Sequence, residues 1–247
     1  MLKTEIRTVL DKARTRGWVS EPDAKRLLSA AGLEVPRFVT VTDPDRMEPI
    51  VADLGFPLAA KVVSSRIVHK SDVGGVRTGI KSIRELTAVF EAFSLLDGFE
   101  AMLIEQMVSG LELIIGAKID DQFGPVVLLG MGGTGVEIYQ DVSLRLAPVE
   151  TRDVDAMIEG LKAAALLSGY RGHQAVNRDE LTRTLVCFSE FVMAAADMIE
   201  SIDLNPVMCS AQKCIVADAR ILLPPVDGPT AAWNFRTAIR TKMQVSS

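Results

Sequence analysis

Residues 61–75, KVVSSRIVHKSDVGG, place two lysines, a histidine, an aspartate and a glycine pair in one short span. Lys61 interrupts an apolar run from Pro57 to Val63, where an interior strand should carry an apolar side chain. An ammonium is rarely buried without an anionic partner, and the phosphates of a ligand are one such partner. Gly74 and Gly75 follow in a short loop, where the missing Cβ lets backbone N–H groups come close to an anion. His69 lies between Lys61 and the glycines, near enough along the chain to face the same ligand. Each residue alone has an ordinary explanation: a snorkelling edge lysine, a surface or core histidine, a plain turn. Their clustering is what points to phosphate. The span is not a Walker A loop, because Ile80 stands where that motif needs lysine.

Oxygen-bearing side chains form a second group. Asp203, Asn205 and Asp218 fall on two expected strands, residues 201–204 and 214–219, that flank a turn carrying Pro206, so they can converge. Mg²⁺ takes hard oxygen ligands, keeps waters and bridges substrate phosphates, so two protein ligands suffice. Asn-Pro is equally a turn signal. Arg145, in DVSLRLAP, can aim a guanidinium at a γ-phosphate or a transferred phosphoryl group, or lie solvated on a strand. GMGGTG at residues 130–135 matches the dinucleotide fingerprint GxGxxG. That fingerprint must open a helix, whereas VEIYQDVSLRL continues with strand-like alternation, which disfavours a dinucleotide site. The run reads instead as a glycine-rich loop near nucleotide phosphates or a partner subunit, or as a strained turn.

HKSDVGGV, FGPVVLLGMGGTGVEIYQD and IDLNP stand in one order within residues 20–220. Together they resemble the ATP-grasp subunit of the NDP-forming acyl-CoA synthetases, which include ADP-forming acetyl-CoA synthetase. The resemblance implies an α/β fold of mixed α+β character, the ATP-grasp fold. A smaller N-terminal lid subdomain would occupy residues 20–100 and a larger C-terminal subdomain residues 101–222. An N-terminal helix in residues 1–19 and an appendage at 223–247 would complete the chain. The implied cofactors are ATP/ADP and Mg²⁺, with Asn205 and Asp218 as metal ligands and Asp203 as a third candidate. Glu105, Gln106, Met107 and Val108 would be the interdomain hinge that contacts adenine through its backbone, and Glu112 the acid that holds the ribose hydroxyls.

On the same basis Lys61 and magnesium would neutralise phosphate charge, and His69 would accept a phosphoryl group as phosphohistidine. Lys61 and Lys70 would favour its neutral form by repulsion and steady the phosphorylated form by attraction. The implied reaction converts acyl-CoA, ADP and phosphate into acid, CoA and ATP, reversibly, with CoA-binding domains and a second histidine on a separate α subunit or an N-terminal fused segment. No CoA-binding domain is expected ahead of residue 1, so the chain reads as the nucleotide half of a heteromer, inactive alone as a ligase. That heteromer is expected to be a heterotetramer, or a homodimer through this β subunit. Two other classes stay open: an ATP-grasp ligase that works through an acyl phosphate, and a non-catalytic nucleotide-sensing subunit. His173, in GYRGHQAV, matches the family only through GYRG and reads as a surface loop residue.

Composition sets the outer limits. A chain of 247 residues with 48% hydrophobic content can fill one large or two small domains. A net charge of −5 gives no general attraction to nucleic acid or anionic membrane. No apolar run approaches the ~18 residues that cross a bilayer, and no signal-peptide core opens the chain, so a cytoplasmic location is expected. Cys187, Cys209 and Cys214 lack a CxxC pairing and read as free thiols.

The candidate groups need positioning elements. Residues 4–16 read as an amphipathic helix, and Ser20, Pro22 and Asp23 open a second that Gly32 closes. A strand at 37–41, a helix from Asp43 to Gly55, and a helix from the Ser82–Glu85 capping box to Leu96 follow. Strands are expected at 101–107, 111–119, 126–129 and 136–139, with Glu105 and Glu112 bracketing the first turn, and helices at 154–167 and 180–199.

Overall fold

The computed structural model describes residues 2–133, 141–170 and 174–225. Its strands form two sheets in which every strand pair is antiparallel.

The smaller sheet runs in the order β2 (Phe38–Val41), β5 (Phe99–Gln106), β3 (Leu58–Ser64), β4 (Val76–Ile80). Helices α3 (Met47–Leu54) and α4 (Ile83–Ser94) cover one face of it. Ser82 caps α4 by accepting the Glu85 N–H, and the Glu85 carboxylate accepts the N–H of Lys81. The period-two alternation of β3 sends Leu58, Ala60 and Val62 into the core with Met47, Leu86, Phe93, Met102 and Ile104. Ala59 and Lys61 therefore project from the opposite face.

The larger sheet runs β1 (Trp18–Val19), β11 (Arg220–Leu222), β9 (Ser201–Cys209), β6 (Leu111–Asp120), β7 (Gly124–Met131), β8 (Val142–Leu146), and β10 (Cys214–Val216) also pairs with β9. Helices α1 (Leu2–Ala13), α2 (Glu21–Ala30), α5 (Thr151–Glu159), α6 (Ala164–Leu167) and α7 (Arg178–Ala195) belong to its core. Ile6, Leu10, Leu27, Leu28, Val154, Met157, Phe188 and Phe191 pack there with Leu113, Ile115, Val127, Leu129, Ile202 and Leu204. Cys209 and Cys214 are cross-strand neighbours, and all three thiols are free. Among the described residues no helix is long and apolar enough to cross a membrane.

Several expected boundaries move, each for a physical reason. The helix expected over 154–167 divides at Gly160, and the Asp141 carboxylate accepts the Lys162 and Ala163 N–H groups at 2.7 Å just ahead of α6. The turn expected at Pro206 is a strand: β9 runs through it. Leu113 pairs with Val207 and Ile115 with Leu204, so Asn205 and Pro206 together oppose Ile114. A bulge is where a sheet accommodates a residue without an N–H. The strand expected over 214–219 ends at Val216, and a separate strand begins at Arg220.

The expected division at residue 100 differs most. Residues 20–33 pack into the larger core through Ala24, Leu27, Leu28 and Leu33, and Val19 pairs with β11, so they are not part of the smaller unit. β5 is needed between β2 and β3, which carries the smaller unit on to Gln106. The smaller sheet is thus an insertion between α2 and β6, and residues 107–110 connect the two sheets. The strand expected at 136–139, His173 and most of the appendage lie outside the described residues.

Gly110 closes that connection against the backbone of β9. A Cβ there would stand 2.5 Å from the Cys209 carbonyl oxygen and 2.8 Å from its carbonyl carbon. Gly110→Ala is therefore expected to cost about 1–3 kcal/mol in denaturant unfolding, as overpacking against an immovable neighbour does. Gly116→Ala, with 3.4 Å to its nearest backbone oxygen, should cost clearly less; the reverse order would contradict the packing described.

Candidate functional site

The outward face of β3 meets α2. In that helix Glu21 and Lys25 are one turn apart and share a side. Lys61 Nζ lies 2.7 Å from Glu21 Oε1, 2.9 Å from Glu105 Oε1 and 2.6 Å from the Ala217 carbonyl oxygen. Lys25 Nζ, 0% exposed, pairs with Glu105 and lies 3.0 Å from Glu21 Oε1. Lys70, at the start of the Ser71–Val73 turn, pairs with Glu21 and lies 3.1 Å from Asp218 Oδ1. The aromatic ring of Phe38 supports Lys25 from 5.9 Å. Three ammoniums and three carboxylates thus meet at the junction of the two sheets, and their formal charges cancel.

This composition resolves the question posed by Lys61. Its three N–H groups are met by two carboxylates and a carbonyl of the protein itself, not by a ligand. Burial by itself would push the Glu21 carboxyl up, but Lys61, Lys70 and Lys25 outweigh it and hold the group well below the usual carboxylate range. Burial would likewise depress Lys61 and Lys70; Glu21 and Asp218, joined by Glu105 at Lys61, reverse the sign and raise both.

His69 precedes Lys70 and is exposed. Arg220 is a cation that reaches it. Arg220 Nη1 is 3.4 Å from both Nδ1 and Nε2 of the ring, and Arg220 Nη2 is 3.4 Å from Asp203 Oδ2. Asp203 and Arg220 are directly opposite in the β9–β11 pairing, on the face of the larger sheet away from its helical core. Asp218 joins this group because the Ala217 and Asp218 N–H groups donate to Pro206 O at 3.0 and 3.4 Å, setting Asp218 beside Asn205. The backbone thus sets Asp218 against residues 205–206, while Asp203 and Asn205 share strand β9. Among the described residues no cluster of three or more His, Cys, Asp or Glu stands as a metal site.

The remaining expected site residues divide. Gly74 adopts φ +68° and caps the Ser71–Val73 turn, and a Cβ on Gly75 would stand 2.5 Å from Val62 Cγ1. Their N–H groups donate to Ser71 O and Lys70 O, so these amides build the turn rather than a phosphate cradle. Arg145 is also displaced. It is in register with Val127, which pairs with Ala117 and through it with Ile202, all on the helical side of the sheet, and its guanidinium closes on the Leu144 carbonyl.

Glu105 is 3% exposed with its carboxylate committed inward, while Gln106 donates from its backbone to Arg37 O and from its side chain to Leu54 O. Met107 and Val108 are in the connection between the sheets, where an interdomain hinge belongs. Glu112 opens β6 on the same face as Asp203, with Gly132 N–H donating to its carbonyl at 2.6 Å. A Cβ on Gly132 would stand 2.5 Å from Glu112 C, so part of the glycine run serves close packing on β6.

Glu21, Lys25 and Arg220 escaped the sequence reading. The first two carried a signal, an opposite-charge pair at i,i+4 beside apolar Ala24, Leu27 and Leu28. Arg220 had a weaker one, two residues beyond Asp218 and so on the same side of an extended chain.

Removing one member of the cluster leaves a buried charge without its partner. Lys25→Met is expected to destabilise by about 3–5 kcal/mol, and Lys25→Met with Glu105→Gln by less than the sum of the single changes. Additive costs in denaturant unfolding would mean that the two groups do not interact. The pH dependence has a definite sign. A carboxyl held low in the folded state gives stability that is present above about pH 4.5 and lost as acid protonates it. A lysine held high gives stability that is present below about pH 10.5 and lost above it. Glu21→Gln should flatten the acid limb of a stability-against-pH curve; an unchanged limb would count against the assignment.

A family model described as an ATP-grasp domain matches residues 11–223. The acetate–CoA ligase (ADP-forming) I subunit beta of Pyrococcus furiosus is 34% identical over 228 residues, covering 89% of this chain and 98% of that protein. The acetate–CoA ligase (ADP-forming) I of Archaeoglobus fulgidus is 37% identical over 204 residues, covering 80% of this chain and 30% of that longer protein. A solved structure of the dinucleotide-forming acetyl-coenzyme A synthetase 1 of Candidatus Korarchaeum cryptofilum holds coenzyme A and Mg-AMPPCP, with its phosphohistidine segment pointing towards the nucleotide-binding site. It matches with a TM-score of 0.77 at 34% identity, covering 88% of this chain and 99% of that one.

Proposed function

The chain belongs to the ATP-grasp domain family, alongside the beta subunits of ADP-forming acyl-CoA ligases, and from this we propose that it is the nucleotide-handling subunit of such a ligase. It passes a phosphoryl group between ATP or ADP and a histidine, and His69 is that histidine. The observation that carries the reading is the contact across the sheet junction. The exposed imidazole of the smaller unit meets Arg220, which pairs with Asp203, while the adjacent Lys70 meets Asp218.

The order of events follows from this chain's own groups. ATP approaches from the open face of the larger sheet, with adenine at Met107 and Val108 and ribose at Glu112. Lys70, at the outer edge of the charge cluster, offers the polyphosphate more accessible positive charge than Lys61, whose donors are already taken. Asn205 and Asp218 would hold magnesium, a fit supported by their hard oxygen donors and by the backbone bonds that set them side by side. When bound, that ion supplies positive charge against the phosphates. A bare ring nitrogen of His69 attacks the γ-phosphorus, a P–N bond forms, and the P–O bond to the β-phosphate breaks with its electron pair leaving on ADP. The reverse sequence makes ATP.

Coenzyme A and the acyl group require a partner. The chain spans nearly all of a separate beta subunit and about 30% of a longer ligase, so a CoA-binding α chain is the proposed complement. A heteromer in the cytoplasm follows from that proposal. [γ-³²P]ATP with Mg²⁺ should label the chain with an acid-labile, base-stable group that His69→Asn abolishes, and adding the α partner should make release of the label dependent on CoA and acid. Ligase activity with the α partner that survives His69→Asn would replace the proposal with an acyl-phosphate ligase, and nucleotide binding that never leads to label or turnover would replace it with a sensing subunit.

A further inference from the structure

Arg220 contributes a feature that the nucleotide reading does not use. A guanidinium packs flat against an aromatic ring as readily as it donates a hydrogen bond. Its Nη1 stands at an equal 3.4 Å from the two ring nitrogens, a position that in the ring plane would collide with Cε1, so it lies over the ring face, within reach of a substituent on either nitrogen. Its other terminal nitrogen is tied to Asp203, the residue opposite it in β9. Lys61 has its donors taken by Glu21, Glu105 and the Ala217 carbonyl, and Lys70 is the cation that the nucleotide reading gives to the polyphosphate, whereas Arg220 contacts the ring itself. A phosphoryl group arriving on His69 brings about two negative charges, and guanidinium binds such oxygens with a planar pair of donors.

We infer that Arg220 is a catalytic residue of the phosphohistidine step: it packs on the His69 ring and, once the phosphoryl group arrives, pairs with its oxygens. Asp203 is the positioning residue that fixes the guanidinium. This assigns Asp203 a role other than metal ligation, and it rests on the reading of His69 as phosphoryl acceptor.

Potassium phosphoramidate tests it without nucleotide or metal. The ring lone pair attacks phosphorus, a P–N bond to histidine forms, the P–N bond of the reagent breaks, and ammonia leaves with a proton. The full-length chain is treated, His69→Asn serving as the control for site, and the adduct is followed by mass and ³¹P NMR after removal of the reagent. Loss of Arg220 in Arg220→Gln should shorten the adduct's lifetime at least about five-fold, with Arg220→Lys intermediate because it keeps the charge but not the planar pair of donors. Asp203→Asn should act in the same direction in this metal-free assay.

Lifetimes equal within about two-fold in wild type and Arg220→Gln would overturn the inference, as would failure of the reagent to modify His69. If Arg220→Gln does not fold, unchanged lifetimes in Arg220→Lys and Asp203→Asn overturn it equally. Labelling by ATP is read separately. No label alongside Arg220-dependent adduct lifetimes removes the ATP reading and leaves the clamp; label with Arg220-independent lifetimes does the opposite.

Discussion

The structure depends on where the Glu21 carboxylate is buried. It accepts Lys61 from a strand of the smaller sheet, Lys70 from the loop after that strand, and Lys25 from its own helix. Two distant stretches of sequence, α2 and residues 61–70, converge on one side chain, and each ammonium finds its second anion in Glu105 or Asp218. A charge network of this kind fits in a single register, because sliding one element past another would strand a buried ion. An apolar junction of the same area would tolerate such sliding. His69 is placed by its neighbour Lys70, and Asp218 is placed by both lysines, so the face that carries His69 and Asp218 inherits its geometry from this cluster.

The two-sheet arrangement gives this cluster its setting. The smaller sheet buries one face under two helices and offers the other to α2, while the larger sheet buries one face under its helices and leaves the other for Glu112, Asp203 and Arg220. Parity along each strand sorts the residues: Lys61 faces the junction because Ala60 and Val62 face the core. By the same rule Arg145, opposite Val127, falls on the wrong side of its sheet to meet a ligand at Asp203.

Much of this was legible in the sequence. The caps at Ser20 and Ser82 and the glycine that closes α3 depend on local rules that the backbone obeys wherever it is. The resemblance of three motif blocks supplied the family. What the sequence hid was partnership across distance. A buried lysine announces that an anion is near without saying whose, and here the anions come from residues 21 and 105 on either side of it along the chain. The paired glycines read as an anion cradle, yet Gly75 is needed because β3 passes too close for a Cβ. Pro206 read as a turn because nothing in the local sequence distinguishes a bulge opposite Ile114 from a reversal.

The smaller sheet interrupts the larger one, and its entry and exit are held together by the bond from Gln106 N–H to Arg37 O. Among the described residues β1 pairs with β11, with Trp18 opposite Leu222, almost the whole described chain later. As the protein emerges from the ribosome, the smaller unit has every strand it needs once Gln106 appears. The first two helices must wait, with Ile6, Leu10, Leu27 and Leu28 uncovered, until the last strands are synthesised. Such long-range closure is slow and leaves sticky surface exposed. Vectorial synthesis thus makes the middle of this chain the first part to become native and its opening residues among the last.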